Sequence, residues 1–140
     1  MTAVISTDPA QTGWMKIHVT GDATAGAHTL GSILNPEGVL LHIYDAFLYK
    51  SVAAAAAATL DIGVNATIDT QDTDMCSALA INGATGVYKI IGTDLASEGA
   101  ATTPRGVLWA AGSYIVFFEQ AGQASTLFVG DLYVHYIRLA

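Results

Sequence analysis

Apolar and polar positions along the chain come in short runs separated by Gly, Pro, Asn and Asp, a texture of strands and turns rather than of helices. Residues 14–20 set Met15, Ile17 and Val19 against Lys16, His18 and Thr20, which predicts a half-buried strand. Gly21-Asp22 turns the chain. Residues 27–34 form the next predicted strand, closed by Asn35-Pro36-Glu37-Gly38, where proline presets one dihedral and glycine accepts a positive φ. The longest predicted strand is 39–50. Strict alternation places Val39, Leu41, Ile43, Asp45, Phe47 and Tyr49 on one face and Leu40, His42, Tyr44, Ala46, Leu48 and Lys50 on the other. Both faces are largely apolar, so the second must be covered by another element or a neighbouring subunit, or consist of partly exposed aromatic residues.

The six alanines at 53–58 are too few for an isolated helix, and no amphipathic pattern flanks them; they read as a small-residue crossover or one helical turn. Residues 59–64 form a strand, after which Asp72 or Thr73 is placed to cap a short helix running to Ile81. Residues 87–91, 107–111, 114–120 and 126–137 complete about eight strands. The last two are rich in β-branched and aromatic residues and flank a small-residue turn with Gly122, which reads as a β-hairpin. The expected fold is all-β: a two-sheet antiparallel sandwich, jelly-roll-like, with one short helix. Residues 1–12 read as an extended N-terminal arm and 13–140 as a single β-sandwich domain.

Composition sharpens this picture. The 140 residues fit one domain that buries roughly 70% of its unfolded surface. Charged residues make up only 12%, about half the usual share, so much of the surface is uncharged, a first sign of oligomerisation. The net charge is −7, and Lys16, Lys50, Lys89, Arg105 and Arg138 stand singly, with no basic stripe to bind nucleic acid. Cys76 is the sole cysteine, which excludes an internal disulfide and a paired-cysteine motif; it reads as a small buried or half-buried residue. The first nine residues lack the pattern of a signal peptide and no apolar run reaches about eighteen residues. The expectation is a protein made in a cytoplasm with no membrane association.

Sequence motifs for chemistry are sparse. His18, His28, His42 and His135 lack the short spacings of a metal site. Asp69, Asp72 and Asp74 could offer oxygens to calcium, but the central glycine and terminal glutamate of an EF-hand loop are missing, and capping and solvation account for them more simply. No nucleophile elbow or phosphate-binding loop occurs. Glu37, Glu98 and Glu119 fall in separate elements, so a glycosidase pair cannot be located. No catalytic, cofactor-binding or metal-binding residue is expected, and the chain does not read as an enzyme. Tyr44, Tyr49, Tyr114, Tyr133 and Tyr136 lie in predicted strands and Trp14 and Trp109 near strand starts. Core packing accounts for most of these rings, yet tyrosine is also favoured at interfaces. Trp14, Tyr44, Tyr49, Tyr133 and His135 are the candidate interface residues. An exposed stripe of such rings could instead stack on sugars, as in a receptor-binding fibre tip or a lectin.

Four stretches carry a family resemblance: Leu30-Gly-Ser-Ile-Leu-Asn-Pro-Glu-Gly-Val-Leu-Leu41, Leu60-Asp-Ile-Gly-Val64, Trp109-Ala-Ala-Gly-Ser-Tyr114 and Val129-Gly-Asp-Leu-Tyr-Val-His-Tyr-Ile137. In texture and order they resemble small virion proteins of tailed bacteriophages, of the head decoration or cement type. The likeness runs from Leu30 to the C-terminus. It implies a structural protein on the outer face of an icosahedral head, commonly a trimer, that clamps neighbouring subunits of the major capsid protein.

Overall fold

Nine strands and no helix occur among the residues that the computed structural model describes, 12–90, 106–120 and 122–139. They are β1 (Thr12–Thr20), β2 (His28–Leu34), β3 (Leu41–Val52), β4 (Thr59–Asn65), β5 (Cys76–Ala80), β6 (Gly86–Lys89), β7 (Val107–Trp109), β8 (Tyr114–Glu119) and β9 (Val129–Arg138). They form two antiparallel sheets packed as a sandwich. One has the order β1-β9-β3-β6, with β7 also paired to β3; the other has the order β2-β8-β4-β5. Among the described residues no helix is long and apolar enough to cross a membrane. The proposed arm lies outside the described residues except for Thr12, which already belongs to β1.

The core forms where the two inward rows meet. Leu41, Ile43, Ala46 and Leu48 of β3, with Leu132, Val134 and Tyr136 of β9, face Leu60 and Ile62 of β4 and Ile115 and Phe117 of β8. The alternation expected for β1 holds, since Ile17 and Val19 are buried while Lys16, His18 and Thr20 are exposed. In β3 it does not. The register slips between Ile43 and Asp45, a bulge at Tyr44 that reverses the parity of the residues after it as far as Lys50, where a second shift precedes Val52. Ala46, Leu48 and Lys50 therefore join Leu41 and Ile43 on the inner side, and Asp45, Phe47 and Tyr49 turn outward. Lys50 is accommodated there by donating from Nζ to the Asn82 carbonyl at 2.7 Å and lying over the Tyr88 ring.

Two further expectations are corrected. The last two strands are not a hairpin: β8 pairs with β2 and β4, whereas β9 pairs with β1 and β3 in the other sheet. Each strand has an inner apolar row that can complete a different sheet, so the chain arches across the sandwich, and Phe128, 1% exposed, plugs the end of the arch. The segment expected to be a capped helix is instead strand β5, bound to β4. Pairing with an available sheet edge outweighs local propensity over so short a segment. The alanine run is a crossover between the sheets without a helical turn.

The outer side of the β2-β8-β4-β5 sheet is covered by the chain itself. The loop that follows β4 folds back over it so closely that a Cβ on Gly63 would lie 2.6 Å from the Asp72 backbone. Carboxylates fasten this loop. Buried Asp61 accepts from Gln71, from the Ala78 amide at 2.8 Å and from Gln120 at 2.7 Å. Asp69 accepts from Ser32 Oγ at 2.7 Å, and Asp74 from the Val64 amide at 2.8 Å. Burial raises the Asp74 pKa above its ordinary 3.8. Asp69 and Asp74 thus serve as fasteners, and Asp72 accepts from the Asn65 side chain and the Asp74 amide, rather than capping a helix.

At the far end of β9, Glu37 accepts from Arg138 Nε at 2.9 Å and from the Tyr136 hydroxyl at 3.0 Å. The Arg138 hydrogen bond, then that of Tyr136, lowers the Glu37 pKa below its ordinary 4.5. A carboxylate with a depressed folded pKa contributes stability that is present above the unfolded value and lost as pH falls through the folded one. The acid limb of a melting-temperature profile, from neutral pH down past 4.5, will therefore be shallower for Glu37→Gln than for the unmodified chain. Asp74 acts with the opposite sign in both proteins, so the difference between the two profiles is the readout. Superimposable acid limbs would refute a role for this pair.

Candidate functional site

The two outer faces of the sandwich differ. One carries its own loop; the other, on the β1-β9-β3-β6 sheet, is bare of any described segment and is lined with rings. Register places its side chains in three rows across the strands. Trp14, His135 and Asp45 share the first, with bulged Tyr44 beside them. Lys16, Tyr133, Phe47 and Lys89 form the second, and His18, Asp131, Tyr49 and Val87 the third.

Within this lattice the rings pack on one another. Trp14 stacks on His135 with centroids 4.1 Å apart and planes 11° from parallel. Tyr44 packs on the other contact of that imidazole at 4.4 Å, and its hydroxyl is hydrogen-bonded to His135 Nε2. Phe47 stacks on Tyr133 at 5.0 Å and meets Trp14 at 5.9 Å. Such pairs hold the rings in fixed orientations and add roughly 0.5–1.5 kcal/mol each beyond area burial. Even so, Trp14 is 52% exposed, Tyr49 42% and Val87 65%. The charges are balanced: Lys16 and Lys89 face Asp45 and Asp131, with Lys89 Nζ 3.9 Å from Asp45 and His18 Nδ1 donating to Asp131 at 2.8 Å.

Four of the five residues singled out from the sequence, Trp14, Tyr44, Tyr133 and His135, thus belong to one contiguous cluster, and Tyr49 lies on the same face one row away. Phe47 links the cluster. It escapes sequence reading because the parity reversal at Tyr44 is what brings it to the side of Tyr44. Of the other tyrosines, Tyr136 is core. Cys76 is half-buried as expected, and burial pushes its thiol pKa up from 9.0, which makes it a poor nucleophile.

Two other features could hold a ligand. A cleft of about 380 Å³ opens between edge strands β1 and β2, lined by Ile17, Val19, Leu30, Ile33 and Phe117, with Lys16 and His18 as its ionisable side chains. At the end of the sandwich, Asp22, His28 and Glu119 bring one ligand atom each within 4.8 Å of one another. This cluster is invisible in the sequence because its members come from a loop and two strands. His28 and Glu119 are cross-strand partners in β2 and β8. The hydrogen bond to the Gly26 carbonyl, opposed by burial and reinforced by Asp22 and Glu119, raises the His28 pKa above its ordinary 6.5.

No protein-family profile matches the chain, and no curated protein matches it in sequence. Its fold is similar to that of two solved chains. One belongs to the capsid of Ralstonia phage GP4, with a TM-score of 0.56 and 17% identity, over 100% of this chain and 92% of that one. The other belongs to the cyanophage Pam1 capsid asymmetric unit, with a TM-score of 0.52 and 18% identity, over 99% of this chain and 93% of that one.

Proposed function

We propose that the chain is a structural virion protein that decorates and stabilises the outside of a phage head, assembling as a homotrimer. The observation that carries this reading is the aromatic face that no described segment covers: one outer sheet face is covered by the chain's own loop, while the other presents a pre-packed, charge-balanced layer of rings. Such a surface is enriched in the residue types of interface cores and poor in the unpaired cations that a nucleic acid would require. Two further points support it. The matched chains are parts of phage capsid structures and are spanned almost end to end. The strand order, with β1 and β2, β3 and β4, and β8 and β9 each split between sheets, also suits a jelly roll, an architecture used in viral capsid and lectin domains.

In this mechanism three copies bury their aromatic faces against one another, and the trimer bridges neighbouring major capsid subunits. The added contact opposes outward pressure from packaged DNA. Buried apolar area contributes roughly 25 cal/mol per Å², although association entropy offsets much of it. No reaction, cofactor or membrane enters. Light scattering during size-exclusion chromatography, over a wide concentration range, should give a concentration-independent trimer that then binds expanded capsids. A monomer at every concentration would overturn the trimer.

The exposure of Trp14 and Tyr49 favours a second reading, a carbohydrate- or receptor-binding module in which those rings stack on sugars. It requires the face to stay open. Glycan-array binding by a monomer, lost in Trp14→Ala and Tyr49→Ala, would establish it in place of the first.

A further inference from the structure

Glu119 is out of keeping with its surroundings. It occupies the inward row of β8, its side chain is fully buried, and its Oε1 has no hydrogen-bond partner among the described residues. Its Oε2 accepts from Ser125 Oγ at 2.7 Å and lies 3.5 Å from His28 Nε2. A buried carboxylate needs a positive charge and donors for both oxygens.

His28 defines what can supply them. Its Nδ1 donates to the Gly26 carbonyl at 2.7 Å, so in the neutral ring the Nε2 lone pair points at two carboxylates, with Asp22 Oδ1 and Oδ2 each 2.9 Å away. A proton on Nε2 relieves that contact but gives Glu119 Oε1 no partner. A metal ion bound to all three residues relieves it as well, and brings two positive charges to the two carboxylates where the proton brings one. A ring nitrogen donating to a backbone carbonyl, with the other nitrogen free, is also the usual support of a metal-ligating histidine.

We propose that Asp22, His28 and Glu119 bind a divalent transition-metal ion of the zinc class that ties the start of the β1–β2 loop to the ends of β2 and β8. The spacing suits it: bonds of 2.0–2.1 Å in tetrahedral geometry place ligand atoms about 3.3 Å apart, and the His28 nitrogen lies 2.9 and 3.5 Å from the two carboxylates. One imidazole with two carboxylates selects zinc-like ions over calcium or magnesium, which prefer oxygen alone. The surrounding loops are already in place. The Asp22 amide donates to Ser125 Oγ at 3.1 Å, Thr126 Oγ1 donates to the Asp22 carbonyl, and a Cβ on Gly21 would strike the Ser125 carbonyl. Asp22, 44% exposed and on a loop, can close the remaining distance and leaves a fourth position for water.

The full chain, freed of metal with a chelator, should take up one equivalent of Zn²⁺ by calorimetry. Co²⁺ in its place should give visible absorption, and Mg²⁺ should produce no heat. Loss of a supporting residue around a metal weakens binding 10–100-fold; loss of a ligand should reach at least the upper end, so His28→Gln and Glu119→Gln should each weaken Zn²⁺ binding by about 100-fold or more. Because Glu119 is buried and its variant could fail to fold, the partly exposed His28→Gln carries the test, with far-UV circular dichroism as the check on folding. His18→Gln, which removes a two-residue surface pair, should bind as the unmodified chain does. Absence of saturable Zn²⁺ uptake, or uptake unchanged in His28→Gln, would overturn the site.

Discussion

Trp109→Ala is expected to lower the unfolding free energy by about 4 kcal/mol, within the range found for emptying a buried aromatic position. Trp109 is fully buried although its strand, β7, has only three residues and pairs with β3 alone. Its indole Nε1–H donates to the Ser113 carbonyl at 2.9 Å, and its own carbonyl accepts from Asn35 Nδ2 at 2.8 Å. Asn35 in turn donates to the Val39 carbonyl and accepts from the Glu37 amide, so one side chain ties together β7 and the β2–β3 turn. The alanine variant loses the ring that fills this corner and leaves a short edge strand with little to hold it. Domains of this kind are stable by only about 5–15 kcal/mol, so the loss is a large fraction of the total. It will appear as a lower denaturation midpoint at unchanged slope. Leu108→Ala, one residue away but 57% exposed, should fall within about 0.5 kcal/mol of the unmodified chain. A Trp109→Ala effect as small as that of Leu108→Ala would show that the corner collapses without cost.

Trp14→Ala is expected to weaken self-association by about 30-fold or more, corresponding to about 2 kcal/mol for an aromatic anchor at an interface. Trp14 lies on the first strand of its sheet, yet its ring stacks on His135 and touches Phe47, so it is presented in a fixed pose and loses little freedom on binding. With half its surface exposed in the chain alone, its removal leaves the core intact. The melting temperature of the dissociated chain should therefore change far less than the assembly equilibrium. Equal subunit-dissociation constants for the variant and the unmodified chain, read by dilution far below the range used for light scattering, with equal capsid binding, would remove this face from the interface.

The two expectations separate the two kinds of tryptophan in this sequence. Both precede or occupy apolar runs, and nothing local distinguishes them. Trp109 is core because Leu41 and the Asn35 turn close over it; Trp14 is surface because β1 is an edge strand that pairs with β9 on one side and leaves the ring half exposed. The aromatic face was half legible. Alternation along β9 places Tyr133 and His135 on one side, and alternation along β1 does the same for Trp14 and Lys16. Strict alternation along β3 separates Tyr44 from Phe47 and Tyr49, and only the bulge reunites them. A bulge adds one residue to a ladder without a required residue type, so the chain carries no local mark of it. The Asp22, His28 and Glu119 cluster was not legible at all, since it depends on which strands become neighbours.

What the amino-acid sequence by itself determined is the all-β class, most of the strand positions and the inward row of β1. These follow from period-two patterning and turn chemistry, which act over a few residues. The tertiary structure alone decided that β8 and β9 serve opposite sheets, that the segment after the acidic loop is a strand rather than a helix, and which face the described loops leave uncovered. Each of those outcomes is a competition between alternative pairings of similar local propensity. Such competitions are settled by the apolar area each arrangement buries across the sandwich, a quantity that exists only once distant segments have met.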